Sequence, residues 1–169
     1  SGRRSSAEGI FLMPSPVPQV VRMSTRALFY DLMWKSGLLA GSPFLLFAWA
    51  TDRYDLRDRL FPRPLDLPPP FWMWHGASAG EVRGLRVLWE HFGGVASADA
   101  HLSCSRSGMA MWSQLGIGRE RLRLFPPDTK SSWASLCRNG YPAMVIVSET
   151  ELWPGLFRAM VQRRVPVVL

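Results

Sequence analysis

"FWMWHGASAGEV", residues 71–82, is not built like an ordinary helix or loop. An apolar run ends at a histidine, five small residues follow, and a carboxylate, Glu81, opens a new segment. The run at 71–75 suits a short buried strand. Beyond it, Val82, Leu85, Val87, Leu88 and Phe92 recur at helical spacing. Strand, small-residue turn and helix make the opening of a βα unit.

Downstream the pattern repeats. Residues 100–104 read as a second strand and 107–115 as a helix ended by the glycines of "LGIG". "RLRLF", 121–125, alternates like a strand and stops at Pro126 and Pro127. Residues 128–138 read as a helix closed by "NG", and "AMVIV", 143–147, is a buried strand. Residues 154–164 form a helix with proline near its start, where proline is tolerated. "VPVVL", 165–169, begins another strand. Strands alternating with helices imply right-handed crossovers and a parallel sheet.

Upstream the composition changes. Residues 1–23 are rich in Ser, Pro and Arg and read as a disordered tail. Residues 24–60 hold an apolar segment, uncharged from 36 to 51, with Asp31 and Lys35 inside its first half. The uncharged part is shorter than the roughly 20 residues of a spanning helix. The expectation is one hydrophobic anchor helix with a basic follow-on, either spanning or lying at a membrane interface. Arginines flank both ends, so charge does not settle its orientation. "FPRPLDLPPP", 61–70, is a stiff proline-rich connector, and the globular domain is expected over 71–169. Because the chain stops inside a strand, we expect it to be the amino-terminal part of something longer.

A formal net charge of +7 fits nucleic acid, an anionic membrane or a phosphorylated substrate. Cys104 and Cys137 show no metal-type spacing, and His75, His91 and His101 form no two-histidine helical pair. No metal site and no disulfide framework are expected.

Two stretches carry chemistry. The turn after 71–75 lies at the carboxyl end of a strand, where ligands sit in open α/β sheets. Its small residues, with Ser78 and Gly80 among them, let a ligand approach the backbone. The following helix start favours anions, and Glu81 there also suits the helix dipole. The glycines match neither G-x-G-x-x-G nor G-K-[ST]. "VSETELWPG", 147–155, follows the strand at 143–147 and brings Glu149 and Glu151 to the same edge. Carboxylates gathered there could perform general-base chemistry.

"HGASAGEV", "LSCSRSG", "PPD" and "SETELWPG", in this order, resemble the 3-deoxy-D-manno-octulosonic acid (Kdo) transferases of lipopolysaccharide synthesis. The family pattern is H-x-x-S-x-G-E, a Thr-rich loop ending in Gly, P-x-D, then V-E-T-E-x-W-P-N. The chain departs from it at Gly155, where the family has Asn, at Ser148, and in the missing threonines of "LSCSRSG". The resemblance implies the Rossmann-like acceptor domain of a GT-B glycosyltransferase, preceded by its anchor. It implies transfer of Kdo from CMP-Kdo to a lipid A precursor at the cytoplasmic face of the inner membrane. Glu81 and Glu149 would be catalytic, and Ser78, Gly80 and Glu151 substrate-binding, with no cofactor, metal or nucleic acid. The CMP-Kdo donor would be bound mainly by a carboxyl-terminal domain not found in these residues, so this chain alone is expected to be inactive. Two other readings stay open: a membrane-tethered non-catalytic remnant, and a fragment of a soluble GT-B sugar-nucleotide epimerase.

Overall fold

The computed structural model describes residues 25–51, 55–94, 97–148 and 153–169. Five strands form one parallel sheet: β1 (Trp72–His75), β2 (Ala100–Ser103), β3 (Leu122–Leu124), β4 (Met144–Val147) and β5 (Val167–Val168). Their order is β3-β2-β1-β4-β5, and every pairing is parallel. This is Rossmann-like winding, with the order reversing between β1 and β4. Crossover helices link the strands: α4 (Ala79–His91), α5 (Arg106–Gln114), α6 (Lys130–Leu136) and α7 (Pro154–Gln162).

The strands build the core by alternation, since successive side chains face opposite sides of a sheet. Trp74, Leu122 and Ile146 face α4 and α5, where Val82, Leu85, Trp89 and Trp112 cover them. Met73, Leu102, Val145 and Val147 face the other way, toward Trp133 and Leu136 of α6 and Leu156 and Met160 of α7. The stretch expected as a connector also contributes. Leu65 is 1% exposed, and its amide donates to the Leu136 carbonyl at 2.8 Å.

The apolar segment differs from the expected single anchor helix. It forms α1 (Thr25–Ala40) and α2 (Ser42–Ala50), broken at Gly41. Pro43, in the first turn of α2, has no amide to continue the α1 ladder. A short α3 (Leu56–Leu60) follows. Among the described residues, no helix is long and apolar enough to cross a membrane. α1 instead rests on the domain through polar side chains: Tyr30 Oη donates to Asp128, and Arg158 pairs with Asp31. Leu28, Phe29, Leu32, Met33 and Leu39 of α1 and Phe44, Leu46 and Phe47 of α2 stay exposed.

Candidate active site

The two chemical motifs leave the sheet side by side. His75 of β1 is in register with Val147 of β4, and the Ser148 amide donates to the His75 carbonyl at 2.9 Å. From there β1 leads to α4 and β4 leads to α7, on opposite faces. The gap where the chains diverge is the topological switch point, the ligand crevice of open α/β sheets.

The β1 turn is held from several sides. Ser103 and Ser105 hydroxyls both donate to the Ala77 carbonyl at 2.9 Å. Ser78 is the N-cap of α4, its hydroxyl accepting from the Glu81 amide at 3.4 Å. Glu81 reaches back: Oε2 accepts from the Ala77 amide, and Oε1 from the Ser78 hydroxyl at 3.2 Å. This is a variant of the capping box, in which the Glu81 carboxylate bonds the amide before the N-cap rather than that of the N-cap itself. Glu81 therefore has a local structural partner, yet it stays partly exposed. A carboxylate offers about four lone-pair sites, and these bonds use two. Gly76 suits a tight place, because a Cβ there would sit 3.0 Å from both the Val82 amide nitrogen and its side chain. Gly80 is exposed in the first turn of α4, and a Cβ there would meet nothing closer than Ser78 Oγ at 3.7 Å.

On the β4 side, Glu149 and Glu151 lie outside the described residues. Their flanks are fixed. The Trp153 ring lies 4.4 Å from Phe125 and 6.4 Å from His75, so the end of the second motif packs against the end of the first. Burial lowers the His75 pKa to about 4, against smaller opposing effects of the Leu102 backbone and the Glu81 charge. His75 is thus a neutral core ring at physiological pH.

Sequence reasoning missed the role of Asp128, which it placed inside a helix. Thr129 caps α6 instead, and the Asp128 side chain turns inward, fully buried. Its Oδ1 accepts from Trp133 Nε1 at 2.9 Å and the Leu156 amide at 2.7 Å. Its Oδ2 accepts from the Gly155 amide at 2.7 Å and Tyr30 Oη at 2.8 Å. Asp128 thereby fixes the amino terminus of α7, at the end of the second motif. Gly155 makes this approach possible, since a Cβ would fall 2.3 Å from the Asp128 carbonyl oxygen. The prolines of "PPD" bound the helix start but carried no signal of these distant partners.

The sequence model of the 3-Deoxy-D-manno-octulosonic-acid transferase (kdotransferase) family matches residues 52–169. The chain belongs to this kdotransferase family. The match spans the whole sheet and both motifs, so the crevice between β1 and β4 lies in a glycosyltransferase domain. A search of curated proteins gave no match to this kdotransferase-family chain. Among the described residues, no group of His, Cys, Asp or Glu could hold a metal ion.

Proposed function

We propose that this chain is the acceptor-side half of an inverting GT-B transferase that moves Kdo from CMP-Kdo to a lipid A precursor. Membership of the family supports the reaction class. The observation that carries the site is Glu81, a partly exposed carboxylate on a firmly held turn at the switch point. An acceptor hydroxyl in the crevice attacks the anomeric carbon of Kdo. The bond to the CMP oxygen breaks, CMP departs with the electron pair, and the hydroxyl proton passes to the Glu81 carboxylate. CMP is already a good leaving group, so assistance belongs on the nucleophile. Ser78 and Gly80 border the acceptor, and the family resemblance assigns a catalytic role to Glu149 and a substrate-binding role to Glu151. The donor is held mainly by a second Rossmann-like domain beyond these residues, and the isolated chain is inactive because donor and acceptor must be held together.

We also place the chain at the cytoplasmic face of the inner membrane, seated by α1 and α2 at the interface rather than spanning it. The exposed apolar side chains of both helices support that reading.

Glu81→Gln tests the mechanism in the transferase joined to its donor-binding half. Glutamine serves a capping box as glutamate does, so the thermal midpoint should hardly move. Turnover should fall by roughly 10²–10⁴-fold, the worth of general-base assistance. Near-normal turnover would reject Glu81 as the base.

A further inference from the structure

Arg123, in the edge strand β3, makes an unusual set of bonds. Its guanidinium donates to five backbone carbonyls: Arg63 at 3.0 Å, Pro64 at 2.9 Å, Arg119 at 3.2 Å, Glu120 at 2.8 Å and Leu122 at 2.7 Å. One half-buried cation thus clamps two distant backbone segments and fixes where Arg63 and Arg119 leave them. Both arginines point into one cleft of about 360 Å³, together with Arg123. Among the described residues, neither the Arg63 nor the Arg119 side chain makes a hydrogen bond or ion pair, and both are exposed.

The charge in this cleft is not cancelled. Arg123 is surrounded by carbonyl dipoles rather than paired with a carboxylate. Its pKa lies below the ordinary guanidinium value, through burial first and the neighbouring Arg63 charge second, with Asp58 and Glu120 opposing. Asp58 is the one acid lining the cleft against three arginines. Guanidinium groups held this way suit a phosphate, whose oxygens match their planar fork.

The surroundings indicate where that phosphate comes from. Leu122 and Leu124 give the cleft an apolar floor. Asp58 also lines the adjoining cavity, of about 660 Å³, which opens on Leu46 and Trp49 of α2. Beside it the Trp49 and Phe61 rings pair at 6.5 Å, with the Arg57 guanidinium 5.5 Å above Trp49. Aromatic rings and arginines next to exposed apolar helices are the residues of a headgroup layer.

We infer that the cleft between β3, α3 and α5 binds the phosphate headgroup of an anionic membrane phospholipid, with Arg63 and Arg119 as donors and Arg123 as a fixed charge. The cleft lies at the outer edge of the sheet, beyond β2 from the β1–β4 crevice. It is therefore a second site, distinct from the one where the acceptor reacts. The inference rests on the membrane seating proposed above.

Co-sedimentation of the chain with vesicles tests it, using phosphatidylcholine alone and with added phosphatidylglycerol. Wild type should prefer the anionic vesicles. The double variant Arg63→Gln/Arg119→Gln should lose that preference by about tenfold or more, since each arginine near an anionic surface matters severalfold. A charge-matched control, Arg83→Gln/Arg138→Gln, should lose much less. Equal losses in the two double variants, or none in the first, would overturn the cleft as a site. Equal binding of wild type to both vesicle types would overturn the anionic headgroup and leave the membrane seating intact. No binding to either would sink the seating itself. Inorganic phosphate binding in solution, reported by its phosphorus resonance, with no anionic preference on vesicles, would identify a free phosphate and overturn the lipid source. Arg123 is left unaltered because its five bonds hold the cleft together.

Discussion

Asp128 does for α7 what local caps do for the three helices before it. Ser78, Ser105 and Thr129 each accept from the amide three residues on, which satisfies a free donor of the first turn. α7 starts at Trp153-Pro154 with no side-chain cap of its own. Its Gly155 and Leu156 amides are met by a carboxylate from across the fold. An orphaned buried donor costs about 1–3 kcal/mol. Asp128→Asn keeps the size but turns an amide group toward some of its four donors, so unfolding stability should drop by at least about 2 kcal/mol. Tyr30→Phe removes a single donor and should cost about 1 kcal/mol or less. Urea denaturation of both variants checks the order. Equal, negligible losses would mean that Asp128 does not hold α7. None of this was legible in "PPD". Sequence periodicity registers neighbours a few positions apart, whereas the partners of Asp128 lie 5, 27, 28 and 98 positions away. Glu81 is the opposite case. Its place after the turn was readable, and so was its dipole-friendly setting, but the bond from Ala77 gives this carboxylate a structural task beside the chemistry proposed for it.

Among the elements, the sheet was readable and the first two helices were not. Each strand expected from 71–75, 100–104, 121–125, 143–147 and 165–169 is present, shortened at its ends. Buried parallel strands are short unbroken apolar runs, and the glycines and prolines between them mark their limits. The amino-terminal segment was read as one helix where there are two, and its sequence did not show which residues meet the domain. Asp31 looked like an intrusion into an anchor. It is a docking residue, paired with Arg158, on the side of α1 that faces the domain. The apolar residues point away, with Phe29 66% exposed and Phe44 61% exposed. The segment is apolar on most sides, so its sequence does not mark which residues meet protein. If these faces lie on a bilayer, Phe44→Ser/Phe47→Ser should weaken binding to neutral vesicles. Burying a large apolar side chain is worth about 1.5–3 kcal/mol, so the pair should reduce partitioning by well over tenfold. Both side chains are exposed, so the urea midpoint in solution should stay within about 0.5 kcal/mol of wild type. Unchanged partitioning would remove α2 from the membrane contact.

For the whole molecule, the number of buried rings sets an acid limit on stability. His101 is enclosed by Trp89 and Trp112, with ring separations of 5.4 and 4.4 Å, and His75 packs 4.4 Å from Phe125. Burial lowers their pKa values to about 3 and about 4, and the Arg121 charge adds to the effect at His101. The unfolded chain lets both imidazoles titrate near their ordinary 6.5. Below that value the unfolded state binds more protons than the folded one, so stability must fall as pH falls. The contribution of neutral rings is complete above pH 6.5 and is lost progressively down to about 4 for His75 and about 3 for His101. Asp55, lowered by its hydrogen bonds to Arg106, acts below its ordinary 3.8 and leaves the upper part of this window to the histidines. Each ring can contribute a slope of about 1.4 kcal/mol per pH unit, hence a loss of about 2 kcal/mol by pH 5. The two sit on opposite faces of the sheet, among separate sets of side chains. Their effects should add, as they do for sites without shared partners. Urea midpoints measured from pH 8 to pH 5 should therefore decline steadily below about 6.5, and His101→Phe should halve the slope while keeping an aromatic ring between the two tryptophans. A flat profile in wild type would mean that neither imidazole is held neutral by the fold, and the packing of both faces of the sheet would have to be redrawn.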